Sequence, residues 1–304
     1  MLEKKSMTQK VDLTQEFGDL GRSSELEQAL FNQFNLFHEN ELEPVKELEL
    51  ILLNQKNVEY NHIDVKMVRP ELPTFSPSGA SKCARELFYK DNDAILPHEV
   101  RYPYQRRWTR NSTAVHEVIQ KDLLYMGNTM KDPAFKVNIL ENGLPAWEDN
   151  IKSFVIVEHN GEKFAVLGMM DGILTYKDGS TIGFEFKTKS NTLGQVGYYK
   201  MKDSAPYHKE QCVAYSLIFG MDEFILMYES VVKDHWHKGQ EAKIDFRTFY
   251  YKVNDEAKTE LLDRFAYIAK CIRLGEVPDR ELDKCMFCQY IDECKKEDTE
   301  GELN

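Results

Sequence analysis

The chain has 304 residues, of which 42% are hydrophobic and 30% charged, in the range of a globular protein with room for one large domain or two small ones. No apolar run approaches the roughly 18 to 20 residues that cross a bilayer, which excludes a membrane-spanning helix, and the opening MLEKKSMTQKVDL lacks the apolar core of a signal peptide, so a cytoplasmic protein is expected. The net charge of −12 disfavours a uniformly basic nucleic-acid binder, but residues 1–60 carry −6 and residues 281–304 carry −5, leaving a nearly neutral middle that can still hold a local basic groove.

Taken in chain order, residues 1–20 read as frayed. From Ser23 to about Lys56, Leu, Phe and Ile recur three and four apart among acids, which predicts helix. Residues 69–78 hold three prolines and read as a linker, and Pro77-Ser78 opens a short helix through Tyr89. Residues 101–110 read as a loop of arginines and aromatics, followed by a helix from about Ser112 to Tyr125. Segments 151–158, 163–170, 171–177 and 181–188 read as strands, the last two joined by a hairpin at Asp178-Gly179. Pro206 and Gly220 bracket a helix with proline at its front and glycine just past its end. Segments 224–231 and 247–253 read as strands, and a helix over 255–274 stops at Gly275. The order predicts an α/β core with a mixed central sheet. We divide the chain into an acidic helical extension, 1–70, and a main domain, 71–304.

The chemistry concentrates in Gly168-Met-Met-Asp171-Gly172 and Gly183-Phe-Glu185-Phe-Lys187. Residues two apart on a strand share a face, so Glu185, Lys187 and Lys189 point one way and Phe184 and Phe186 the other, with Asp171 on the neighbouring strand beside Glu185. Two adjacent carboxylates repel and are costly to desolvate unless a cation joins them, and Mg²⁺ or Mn²⁺ suits such oxygen ligands. A surface hairpin bearing ordinary charges is the bland alternative. His116 lies on the 112–125 helix, where a structural histidine is the common case. Gln211 and Tyr215 are four apart and share one face of the 206–220 helix.

The order His116, Asp171, Glu185-x-Lys187, Gln211-x-x-x-Tyr215 resembles the RecB-family branch of the PD-(D/E)xK nucleases, the branch that includes Cas4 and the AddB nuclease domain. The likeness covers about residues 75–295. It implies a restriction-endonuclease-like core and a metal-dependent deoxyribonuclease, with exonuclease action expected. It also implies metal binding by His116, Asp171, Glu185 and the carbonyl of Phe186, a catalytic Lys187, and positioning roles for Gln211 and Tyr215. Glu158 is a further acidic candidate, though a surface glutamate serves as well.

Cys285, Cys288 and Cys294 give C-x2-C-x5-C near the end of the chain, lacking a fourth ligand. Cys83 is the natural partner, and four thiolates suit a [4Fe–4S] cluster or a structural Zn²⁺. One cysteine before the core and three after it is similar to the iron staple of the same family, which implies a cluster tying the chain ends together. Ala84 stands where that family often has proline. Cys212 and Cys271 fall on helices and read as buried thiols.

Arg101, Arg106, Arg107 and Arg110 interleave with Tyr102, Tyr104 and Trp108. Arginines meet phosphates and rings stack on unpaired bases, so this stretch is the candidate DNA-binding surface, against a plain charged loop. The Gly-rich segment after Lys189 is a candidate substrate loop or a mere connector. DNA is the expected partner, with no membrane, and the acidic N-terminal helices could dock a protein or simply pack on the core. A non-catalytic DNA-binding Fe–S subunit is the alternative reading.

Overall fold

The nine residues Thr181–Lys189 alternate as the sequence predicts, and they make the central strand, β6, of a five-stranded sheet. The computed structural model describes residues 21–61, 70–92 and 102–301; residues 1–20, expected above to be frayed, and Arg101 lie outside these. The helices are α1 Arg22–His38, α2 Lys46–Asn61, α3 Ala84–Asp91, α4 Pro103–Thr129, α5 Pro206–Phe219, α6 Asp255–Leu274 and α7 Ile291–Gly301. The strands are β1 Thr74–Phe75, β2 Phe135–Val137, β3 Ser153–His159, β4 Glu162–Gly168, β5 Gly172–Tyr176, β6 Thr181–Lys189, β7 Glu223–Ser230 and β8 Phe246–Lys252.

The large sheet runs β2-β5-β6-β7-β8 and is mixed: β6 and β7 are parallel, and the other neighbours antiparallel. A smaller sheet, β1-β4-β3, packs against α5 and α6. The alternation of β6 splits the core in two. Phe184 and Phe186 join Leu174, Ile225 and Met227 under α1 and α4, while Phe224, Leu226 and Tyr228 lie on the opposite face with α5 and α6. Glu185 and Lys187 are in register with Leu226 and Tyr228, and therefore emerge on the α5 side.

Three readings need correction, and two features of the sheets go beyond the readings. The 23–56 helix is two helices, α1 and α2, interrupted at residues 39–45 where Pro44 removes a backbone donor. The 77–89 helix is a single 3-10 turn, Pro77–Gly79, followed by α3. The loop 101–110 is helical from Pro103, with Gln105 Oε1 accepting the Tyr102 N–H at 2.8 Å. Segments 163–170 and 171–177 are not partners in one sheet: the chain leaves the small sheet after Gly168 and enters the large one at Gly172. Strands β1 and β2 went unread because they are two and three residues long.

Of the acidic N-terminal helices, α1 packs on the main sheet and α2 on α4. Phe31 stacks on Phe246 with centroids 4.6 Å apart. The amide of buried Gln33 exchanges two hydrogen bonds with the backbone of Phe135, at 2.7 and 2.8 Å, and so satisfies part of the edge strand β2.

Gly168 shows how tightly the crossing is built. A Cβ there would sit 2.5 Å from the Pro77 ring, which cannot swing aside. Gly168→Ala is expected to cost about 1–3 kcal/mol from overpacking, read as a lower denaturation midpoint in urea at unchanged slope.

Candidate metal centre

Three chain segments converge at the start of β5. The first is α4, which turns His116 toward the sheet. The second is the crossing Met169–Asp171, which delivers Asp171 level with Glu185, since Gly172 pairs with Phe184. The third is the 3-10 turn Glu148–Ile151. His116 Nε2 lies 3.1 Å from Asp171 Oδ2, and its Nδ1 lies 3.1 Å from Glu148 Oε1. One ligand atom from each of these three residues falls within 4.8 Å of the others, a donor set that could hold a divalent ion.

The turn holding Glu148 is strained. Glu148 has φ +43°, a left-handed conformation that costs a residue with a Cβ about 1–2 kcal/mol. Its N–H donates to the Met170 carbonyl at 2.8 Å, so the turn is pinned one residue away from Asp171. Gln120, one turn after His116 and buried, donates from Nε2 to the Asp171 carbonyl at 3.0 Å and more weakly to Glu148 Oε1 at 3.4 Å. Neither Glu148 nor Gln120 stood out in the sequence. Glu148 sits in a stretch without periodicity, and a lone helical glutamine carries no pattern.

Burial pushes the His116 imidazole toward its neutral form, but hydrogen bonds to Asp171 and Glu148 outweigh it and raise its pKa to about 10. With no cation between them, the two carboxylates thus collect a proton on the histidine. A metal ion would compete with that proton for the same ring nitrogen.

Glu185 is 1% exposed. Its Oε1 accepts from Gln211 Nε2 at 2.9 Å and is paired with Lys187 Nζ. Its Oε2 is buried with no hydrogen-bond partner, an orphan that is costly unless something positive faces it. Burial, then the charge of Asp171, push its carboxyl well above the ordinary range, partly opposed by Lys187. The Lys187 ammonium is destabilised by burial, but Glu185 and Asp171 more than compensate and hold its proton firmly. Gln211 Nε2 also lies 2.7 Å from the Tyr215 hydroxyl, so the pair four apart on α5 acts as one bracket for Glu185.

The structure therefore brings His116, Asp171, Glu185, Lys187, Gln211 and Tyr215 to one place. Glu185 stands beside the tight His116–Glu148–Asp171 group and is not part of it. The Phe186 N–H donates to Asp171 Oδ2 at 2.7 Å. Glu158 is exposed on β3 opposite Lys163, in the small sheet, away from these residues.

A groove of about 630 Å³ leads away from the site between α4 and the end of β6. Trp108 and Ser112 line one side, and Thr188, Lys189 and Ser190 the other. Ser112 and Thr188 also line the pocket that contains His116, Glu148 and Lys187. Trp108 Nε1 donates to Ser190 Oγ at 2.6 Å, and Tyr102 and Tyr104 stack 6.2 Å apart at the helix start. Arg106, Arg107 and Arg110 are exposed on α4. The segment after Lys189 is anchored by Val196, which is fully buried in the core.

Cys83, Cys285, Cys288 and Cys294 line one pocket. Cys83 caps the front of α3, and the other three come from the short turn Leu282–Phe287, its end and α7. Arg85 Nη1 points at Cys294 Sγ at 3.3 Å, and Tyr89 and Tyr290 pack behind it with centroids 5.8 Å apart. Cys212 is buried in the main core, and Cys271 packs in the same small cluster as Tyr89, Tyr290 and Cys294; neither lines this pocket.

No family model matches the sequence, and no curated protein does. Among solved structures, SSO0001 aligns at a TM-score of 0.42 and 14% identity, over 80% of this chain and 92% of that one. An alkaline exonuclease from Laribacter hongkongensis aligns at 0.42 and 13%, over 67% of this chain and 90% of that one. The same exonuclease in complex with dAMP aligns at 0.41 and 13%, with the same coverage. Among the described residues no helix is long and apolar enough to cross a membrane.

Proposed function

We propose that the protein is a divalent-metal-dependent DNA nuclease of the PD-(D/E)xK type. The observation that carries this reading is the buried, unpartnered Glu185 Oε2 beside a His116–Glu148–Asp171 donor set and a charged Lys187. A cluster of carboxylates this close is destabilised by its own repulsion, and a cation relieves it.

His116, Glu148 and Asp171 would hold Mg²⁺ or Mn²⁺, with Glu185 and the Phe186 carbonyl as additional donors. When bound, the ion supplies positive charge to the phosphate in the transition state and acidifies water. Lys187 keeps its proton at neutral pH and donates a hydrogen bond to the attacking water or the phosphate. Gln211 and Tyr215 fix the Glu185 carboxylate so that its free oxygen stays aimed at the site. The groove along α4 takes the DNA strand, with Arg106, Arg107 and Arg110 on phosphates and Trp108 against a base. Exonuclease action is our expectation for the mode of cleavage.

We further propose that Cys83, Cys285, Cys288 and Cys294 hold a [4Fe–4S] cluster. A tetrahedral Zn²⁺ with bonds of about 2.3 Å draws its sulfurs to about 3.8 Å of one another. The four thiols line one pocket, a set that suits a [4Fe–4S] cluster or such a zinc site, and the metal content decides between them. Digestion of end-labelled single- and double-stranded DNA with Mg²⁺, Mn²⁺ or EDTA, alongside elemental analysis of anaerobic protein, tests both proposals. Protein inert with both metals on both substrates ends the enzyme reading.

A further inference from the structure

We infer that the N-terminal helix α2 is a working part of the metal centre, acting through Gln55 on the turn that carries Glu148. This rests on the metal reading above. It assigns to the acidic extension a positioning role inside its own chain.

The path is short and made of named bonds. Gln55 is a polar side chain on α2 and only 6% exposed. Its Oε1 accepts from Asn150 Nδ2, and its Nε2 donates to Glu59 Oε1 at 2.9 Å. Asn150 lies two residues after Glu148, and its Nδ2 also donates to the Pro145 carbonyl at 2.8 Å. Its own N–H donates to the Trp147 carbonyl at 3.1 Å. Asn150 thus closes the turn on both sides of Glu148, and Gln55 holds Asn150 from outside. α2 is fixed in turn by Glu49, which takes Lys121 Nζ at 2.7 Å and the Tyr125 hydroxyl, both on α4, the helix of His116.

The left-handed φ at Glu148 gives this bracket its importance. Without an outside hold, the strained residue gains by relaxing to an ordinary conformation, which would swing its carboxylate away from His116. The residues 147–150 lie between strands and make no ladder of their own. Trp147 is buried in the core, the Met170 carbonyl takes the Glu148 N–H, and the Gln55–Asn150 contact ties the far side of the turn to α2. Outer partners of this kind typically change metal affinity 10- to 100-fold when removed.

The test measures Mn²⁺ binding by the unbound-ion EPR signal on the full chain, together with hydrogen exchange of residues 147–151 in metal-free protein. Gln55→Ala is expected to weaken Mn²⁺ binding about tenfold and to speed exchange at the Glu148 amide. Gln55→Glu combined with Glu59→Gln keeps an acceptor for Asn150 Nδ2 and reverses donor and acceptor only in the 55–59 bond, and should recover binding. Leu26→Ala in α1 removes a fully buried side chain of the same helical layer and serves as the control, expected to lower the melting temperature with Mn²⁺ binding unchanged. The inference is overturned if Gln55→Ala leaves amide exchange as it was, or if the Leu26 variant weakens Mn²⁺ as much. Wild-type protein that binds no Mn²⁺ sinks the metal reading instead, while the exchange data still decide whether Gln55 holds the turn.

Discussion

Asp171→Asn is expected to lower DNA cleavage at least about 10³-fold, a loss of roughly 4 kcal/mol of transition-state stabilisation, while the protein stays folded. The separation follows from the bonds Asp171 makes. Its Oδ2 accepts the Phe186 N–H at 2.7 Å, which an asparagine oxygen can still do. What the substitution removes is charge, and that charge disfavours ionised Glu185 in the folded protein. Lys187→Met gives the contrasting result. The Glu185 carboxylate then loses its buried counter-charge, so cleavage fails and stability also falls by about 3–5 kcal/mol. Steady-state cleavage and urea denaturation on the two variants read the difference. An Asp171→Asn protein that cuts within tenfold of wild type would end the metal-centre assignment.

Cys83→Ser is expected to bleach an anaerobic preparation that is brown in the wild type, and to cost about 5 kcal/mol of stability. The size comes from topology. Linking Cys83 to the tail closes a loop of roughly 200 residues, and loop-closure entropy for that length is worth about 5 kcal/mol. Cys212→Ala, which touches a buried thiol outside the pocket, should keep the colour. Colourless wild-type protein holding one equivalent of zinc would refute the cluster, and iron content unchanged in Cys83→Ser would refute the ligand assignment.

The legible part of the site is the part that obeys a period. Glu185 and Lys187 announce themselves because a two-residue alternation places them opposite two phenylalanines, and the parallel register with β7 bears out that split. Gln211 and Tyr215 are readable for the equivalent reason on a helix. Glu148 has no period to betray it, since its placement depends on a left-handed turn and on a bond to the Met170 carbonyl far away in sequence. The first turns of α4 were hidden by their exposure: from Tyr102 to Ala114 the residues lie largely outside the core, so no apolar stripe marks the helix, and only Pro103 and Gln105 signal its start. The crossing at Met169–Asp171 was invisible because apolar residues run straight through a change of sheet. His116 gave little sequence signal by itself, and geometry places it between two carboxylates.

The uneven burial of α4 has a mechanical consequence. The helix is rooted in the core by Val115 and, continuously, from Ile119 onward, whereas the turns from Pro103 to Arg110 project past the sheet with hydrogen bonds such as Trp108–Ser190 as their stays. Such a beam flexes most at its tip and least near His116. On the reading proposed above, the groove can widen or narrow for strands of different girth while the His116 end keeps its spacing, so that grip and chemistry would be tuned at opposite ends of one rod.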